Sequence, residues 1–192
     1  MIYLSIRSPP PEKRSMSLPI ANYHSYEHYV EDLTRAQKFY QQVLGYKQIG
    51  KSSPKADKHT GMKRLVFAGG KDIHLILSTP TQPWSVASQY LSVHPEGVGF
   101  LNFRVKDFAK TLEFLQQRRA TFLFEPQNGT DSHGTLRQTA IVSALNDVNF
   151  RFIDDSEYDN FGLDFDMDQP AGSYTSPYGF EYIDHVTSNI KT

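Results

Sequence analysis

A stretch near the middle of the chain repeats one near its start. Sliding the sequence by 75 residues lays Val30-Glu31-Asp32 on Val105-Lys106-Asp107, Phe39 on Phe114, and Gln41-Gln42 on Gln116-Gln117. The turns that lead into two predicted helices coincide, and so do core positions within those helices. The chain therefore reads as a duplicated unit, and the element order found in one copy is expected in the other.

In the first copy, residues 23–30 are β-prone. Leu33, Ala36, Phe39, Tyr40, Val43 and Leu44 then recur at helical spacing. Asp32 stands where a helix N-cap belongs, and Gly45 follows the last apolar turn as a C-cap residue would. Strand-like runs follow at 46–50, 63–68 and 73–78, the first two joined by a polar loop containing Pro54. Gly69-Gly70, between two such runs, reads as a tight hairpin turn. A connecting stretch with Trp84, Val86, Tyr90 and Leu91 predicts one amphipathic helix. The order then recurs, with a strand over 98–105, a helix over 108–118, and strands over 121–124, 135–142 and 148–153. The expected fold class is α+β, two tandem βαβββ units at about 21–80 and 96–155 that together make a domain over 21–155.

The flanks read differently. Residues 1–20, with Pro9-Pro10-Pro11 and a basic patch, are expected to be a flexible tail. Residues 154–179 are acidic and rich in Gly, Pro and Tyr, and residues 156–180 are expected to be a linker. Their Asp spacing lacks the calcium-loop pattern with its central glycine and terminal glutamate. The chain turns apolar again at Phe180-Glu181-Tyr182-Ile183-Asp184-His185-Val186, so residues 181–192 read as the first strand of a further domain.

Composition removes several function classes. Twenty Lys and Arg against twenty-one Asp and Glu leave a net charge of -1, without the basic excess a nucleic-acid binder needs. No cysteine is present, which excludes disulfides, thiolate metal sites and a Cys nucleophile, so any metal must be held by His, Asp or Glu. No apolar run approaches the roughly 18 residues of a membrane helix, and the prolines fall where a signal peptide would carry its apolar core. A cytoplasmic protein with no nucleic-acid or membrane partner is expected. Phosphate-loop motifs are missing, and Ser78 and Ser143 fall in strands without a nucleophile elbow, so hydrolase chemistry is disfavoured.

Two strand-helix-strand-strand-strand units, each opening through a Val-x-Asp turn onto a helix with Phe-Tyr or Phe-Leu, resemble the vicinal oxygen chelate superfamily. Its glyoxalases and extradiol dioxygenases curl paired units into a half-barrel whose mouth holds a metal. Residues 33–46, LTRAQKFYQQVLGY, resemble that superfamily's first helix. More narrowly, residues 23–189 are similar to the N-terminal domain of the 4-hydroxyphenylpyruvate dioxygenase family and the opening of its C-terminal domain. Glu27, Tyr29, Val30, Phe39, Tyr40 and Gly45 carry this likeness, with GVGFLNFRVKD from Gly97 and, most specifically, Ile183-Asp184-His185-Val186 with Asn189.

In superfamily members that bind metal, a His lies seven residues before the Asp of the Val-x-Asp turn and a carboxylate lies on each unit's last strand. Those positions here are Ser25 and Phe100, then Ile76 and Arg151, and none can serve a 2-His-1-carboxylate site. His24 and His28 flank the first position but need a register slip to replace it, and an odd slip would turn them to the opposite face of the strand. His59, His74, His94 and His133 share no ligand spacing, and each reads as a surface or satisfied polar residue. By resemblance, His185 matches the first iron ligand of the family, with the second His, the Glu and the catalytic residues expected beyond Thr192.

The resemblance implies the non-catalytic portion of a ferrous dioxygenase that converts the aromatic 2-oxo acid 4-hydroxyphenylpyruvate and O2 to homogentisate and CO2. Fe(II) is expected in the full-length protein and no cofactor in this chain alone, which is expected to be inactive. A homo-oligomer is compatible with the domain's role in assembly. A hydroxymandelate synthase shares the fold, iron and substrate. A third reading is a self-standing, metal-free binding module whose aromatic walls are Trp84, Tyr90, Phe100 and Phe103.

Overall fold

The computed structural model describes residues 17–144 and 148–187. In the first half, β1 (Ile20–Tyr29) leads into α1 (Leu33–Lys38), which continues as a π-helical turn over Phe39–Val43. Then come β2 (Lys47–Ser52), α2 (Pro54–Thr60), β3 (Met62–Gly70) and β4 (Ile73–Pro80). A linking helix, α3 (Val86–Leu91), precedes the second half: β5 (Gly97–Val105), α4 (Phe108–Gln117), β6 (Phe122–Asp131), β7 (Gly134–Val142) and β8 (Asn149–Tyr158). A short β9 (Phe165–Met167) and a 3-10 turn at Ala171–Ser173 follow.

The two halves are built by the same local chemistry at the same spacing. Asp32 accepts a hydrogen bond from the Arg35 amide at 2.9 Å, and Asp107 accepts one from the Lys110 amide at 3.0 Å, so each helix begins on the same Asp cap. The strand ladders repeat as well. Tyr26 lies opposite Leu75 in the parallel β1/β4 pair, and Leu101, 75 residues on, lies opposite Phe150 in the parallel β5/β8 pair. β1 and β5 pair antiparallel and join the halves into one mixed sheet of order β6-β7-β8-β5-β1-β4-β3-β2-β9.

One face of this sheet is apolar and carries α1 and α4. Val30, Leu65, Phe67, Leu75 and Leu77 enclose Ala36 of α1, while Val105 and Phe152 pack with Phe108 and Leu115 of α4. The other face is concave. Arg64 of β3 and Gln138 of β7 line the same cavity although five strand spacings separate them, roughly 24 Å in a flat sheet. The sheet is therefore curled into a half-barrel, and the expected tandem βαβββ architecture is the one observed. Among the described residues, no helix is long and apolar enough to cross a membrane.

Several sequence expectations are corrected. The polar loop at Pro54 is a helix, capped by Ser53 with proline in its first turn and closed by Gly61 in the left-handed conformation. Gly69 and Gly70 belong to β3, and the turn falls at Lys71-Asp72. A Cβ on Gly69 would collide with the Tyr46 ring, and one on Gly70 with the Phe180 carbonyl. The segment read as a linker over 156–180 is packed instead. It completes β8, pairs β9 with β2, buries Phe161 and Ser176, and bonds the Tyr174 hydroxyl to the Gly45 carbonyl. Its aromatic side chains outweigh the acidic pattern between them.

The flexible-tail expectation fails at its end, where Leu18 packs against the α4 core and the Pro19 carbonyl accepts the Lys106 amide. Residues 1–16 lie outside the described residues. Residues 181–187 form no strand, because extended backbone becomes a strand only with a hydrogen-bonding neighbour. Asn189 lies outside the described residues.

Candidate functional site

The concave face encloses a cavity of about 570 Å³. Strand alternation selects its lining. On β1, Ser25, Glu27 and Tyr29 face the cavity, while Tyr26 packs into the α1 core and His28 meets the Tyr40 hydroxyl at 3.1 Å. On β5, Phe100 and Asn102 face in, while Phe103 joins the α4 core. Of the aromatic walls expected from sequence, Trp84 and Phe100 line the cavity; Tyr90 instead packs edge-on against Tyr29.

All four positions at which the resembled superfamily places metal ligands converge on this cavity: Ser25, Ile76, Phe100 and Arg151. Their chemistry does not fit a metal. A hydroxyl, an alkyl chain, a phenyl ring and a guanidinium include no imidazole or carboxylate, and among the described residues no three His, Asp or Glu side chains cluster as a ligand set. His185 does not change this. Its imidazole is 73% exposed and meets the neighbouring Asp184 carboxylate at 2.7 Å.

The cavity holds a different set of polar groups, which sequence reading did not bring together. Glu27 is buried, and its carboxylate accepts a hydrogen bond from the Ser78 hydroxyl at 2.6 Å. Asn102 donates its amide to the Ser25 hydroxyl at 2.9 Å. Arg64 pairs with Asp164 at 2.9 Å and lies over the Phe165 ring at 4.7 Å. Arg151 lies over the Phe100 ring at 4.6 Å. Among the described residues, four buried side-chain polar atoms lack a partner, and all belong to cavity-lining residues: the Tyr29 hydroxyl, Arg64 Nε, Asn102 Oδ1 and Arg151 Nε. Buried polar atoms are rarely left unpaired, so their concentration around one cavity marks it as the candidate site. A sequence signal was available in Arg151, a charged residue set between Phe150 and Phe152 in a strand-like run; Arg64, beside Lys63, carried none.

The flanking histidines behave differently from one another. His28, an odd three residues from Ser25, is turned to the helix face. An irregularity in the β1/β5 ladder between Tyr23 and Ser25 brings His24 to the cavity instead. There its Nδ1 bonds the Ser25 hydroxyl at 2.9 Å and its Nε2 bonds the Phe161 carbonyl at 3.2 Å. His74 comes alongside, with one ring nitrogen 2.9 Å from the Ala171 carbonyl and the other 3.3 Å from that of His24. Burial is the main reason both rings sit below the usual histidine range, and the nearby Arg104 cation lowers each further. They are satisfied, neutral packing groups. His133 pairs with Asp159 at 2.9 Å, and His59 stands among the cavity-lining residues.

Burial likewise pushes the Tyr29 hydroxyl well above the usual tyrosine range, with a further push from Glu27, so it stays a protonated donor. The cavity thus offers two guanidinium groups, a phenol donor, the unpaired Asn102 amide oxygen and the carboxylates of Glu27 and Asp164 between apolar walls. That set suits recognition of a polar organic molecule.

Residues 22–156 match the profile described as the Glyoxalase/Bleomycin resistance protein/Dioxygenase superfamily. A 4-hydroxyphenylpyruvate dioxygenase of Dictyostelium discoideum is 28% identical over 106 residues, 53% of this chain and 29% of the relative. One from Tetrahymena thermophila is 26% identical over 106 residues, 53% of this chain and 26% of the relative. The matched regions thus span under a third of these curated relatives. Among solved structures, a mutant 4-hydroxymandelate synthase from Streptomyces coelicolor superposes with a TM-score of 0.70 at 18% identity, covering 83% of this chain and 45% of that one. Methylmalonyl-CoA epimerase from Mycobacterium tuberculosis gives 0.58 at 18% identity, covering 71% and 89%, a likeness of fold. With two capped units joined into one curled sheet, and a profile match that runs through both, this chain belongs to the glyoxalase, bleomycin resistance and dioxygenase superfamily.

Proposed function

We propose that this chain is the metal-free, non-catalytic half-barrel of a dioxygenase like the 4-hydroxyphenylpyruvate dioxygenases it resembles. Such an enzyme converts 4-hydroxyphenylpyruvate and O2 to homogentisate and CO2. The observation that carries the reading is the convergence of Ser25, Ile76, Phe100 and Arg151 on one cavity: the ligand positions are present and hold no ligand. The sequence similarity to two such dioxygenases supplies the reaction class. In this reading the half-barrel packs against a catalytic part and contributes to assembly, including self-association, in the cytoplasm. Fe(II) belongs to that part. His185 joins a ligand set completed by residues outside these 192, because one exposed imidazole does not hold a ferrous ion usefully. Hydroxymandelate formation by the same assembly is the variant of this reading that shares fold and substrate.

The intact mass of the native protein in its source cells is the test. About twice 21.9 kDa, the size of two typical domains, is expected. A mass near 21.9 kDa would overturn the reading. The 192-residue chain supplied with Fe(II), 4-hydroxyphenylpyruvate and O2 is expected to form no homogentisate, and homogentisate above the protein-free rate would overturn the non-catalytic role. A second reading, a self-standing binding module, is favoured by the cavity of about 570 Å³ with its unpaired polar atoms. The smaller mass would select it.

A further inference from the structure

The charges that line the cavity balance in number, Arg64 and Arg151 against Glu27 and Asp164, but they are not all paired. Arg64, buried to 3% exposure, is neutralised by Asp164. Glu27 accepts the Ser78 hydroxyl, and no ion pair joins it to either arginine. Arg151 is half-buried on β8, and its guanidinium makes no hydrogen bond or ion pair with any described residue. It rests instead on the face of the Phe100 ring. A guanidinium carries five N–H donors in a planar fork, and withdrawing it from water without an anion or acceptors is costly. The cost falls where the Tyr29 hydroxyl and Arg64 Nε also lack acceptors, so three donors around one cavity await oxygen atoms.

From this arrangement we infer that the cavity binds a small organic carboxylate. Its carboxylate is taken by the Arg151 fork, and its apolar body lies among Phe100, Phe124, Leu123, Trp84 and Met62. The fork geometry of guanidinium matches a carboxylate bidentately. A single free guanidinium suits a monoanion better than a phosphate, whose greater charge calls for several cations or a helix N-terminus. The apolar walls favour a body with hydrocarbon surface, and the volume lies in the range of small-molecule sites. The inference goes beyond the proposed place in a larger enzyme and does not depend on it.

Isothermal titration of the 192-residue chain tests it with three probes: phenylacetate, its neutral isostere phenylacetamide, and inorganic phosphate. Phenylacetate is expected to bind at least about tenfold more tightly than phenylacetamide. Arg151→Met is expected to remove about tenfold or more of phenylacetate affinity and distinctly less of phenylacetamide affinity, with the thermal melt of the variant reporting its folding. No heat with phenylacetate, or an Arg151→Met variant that binds it undiminished, overturns the inference. Phosphate binding as tightly as phenylacetate overturns the organic class. Equal binding of phenylacetate and phenylacetamide overturns the anion and leaves a ligand cavity standing. If Arg151→Met does not fold, the comparison of acid with amide on the unaltered chain decides. None of these outcomes bears on the mass that tests the proposed function.

Discussion

The two halves of this protein share a frame and differ in what the frame holds. Ser25, Glu27, Arg64 and Ile76 of the first half have as counterparts Phe100, Asn102, Gln138 and Arg151 of the second, by the 75-residue shift on three strands and by ladder position on β3 and β7. All eight line the cavity, and no pair is alike. By contrast, the helix caps are both Asp, and the residues beneath the helices are apolar in both halves. The reason is physical. The helix face must exclude water wherever it occurs, so its chemistry is held constant, whereas the concave face needs only strands of the right register and is free to diverge.

The comparison can be broken most forcefully at Gly99, the counterpart of His24. The first half has a side chain there; in the second, the Tyr29 ring occupies the space a Cβ would need. Gly99→Ala is expected to lower unfolding free energy by about 3 kcal/mol in denaturant melts, because the buried Tyr29 has nowhere to move. A variant as stable as the parent would show that the halves tolerate the same residues after all.

A second contrast lies in the histidines. His24, His28 and His74 lie in the first half, where burial keeps each below the ordinary value of 6.5, and their counterparts Gly99, Phe103 and Asn149 do not titrate. The folded chain refuses protons that the unfolded chain accepts below about pH 6.5. Stability is therefore fully present above that pH and lost as pH falls below it. A tenfold difference in proton affinity between the folded and unfolded chain corresponds to about 1.4 kcal/mol. Melting temperatures measured from about pH 8 down to about pH 5 should therefore drop, and His24→Gln should flatten the drop. A pH-independent melt through that window would contradict the burial of these rings.

The caps should give the smallest effect and the most even one. Asp32→Ala and Asp107→Ala each remove a bond to a helix amide, at 2.9 and 3.0 Å, and the exposed 2.8 Å Lys110 pair that Asp107→Ala also removes adds little, so thermal melts should show small and similar losses. Unequal losses would mean that the repeat is matched in geometry but not in energy.

Much of the frame was legible from local pattern. Asp32, Asp107, Gly45 and the helical spacing of Leu33 to Leu44 mark real elements, since caps and amphipathic stripes act over a few residues. Even α2, read as a loop, carried its signals in Ser53, Pro54 and Gly61. The acidic stretch after Ile153 misled because charge pattern says nothing of the partners that Phe161, Phe165 and Tyr174 find on a distant strand edge. The cavity was legible in part, in the lack of ligands at Ser25, Ile76, Phe100 and Arg151 and in the aromatic walls Trp84 and Phe100. Which groups replace the ligands depends on curling: Arg64 and Arg151, 87 positions apart in the sequence, line one cavity only because the sheet curls into a half-barrel.

By itself, then, the sequence determined the duplicated unit, its element order and the absence of a metal set at the expected positions, because periodicity, caps and residue identity are properties of short segments. The tertiary structure decided which polar groups meet without partners, why His24 faces in while His28 faces out, and where residues 156–180 pack. Those outcomes depend on strand register, ladder irregularity and sheet curvature, which no short segment specifies.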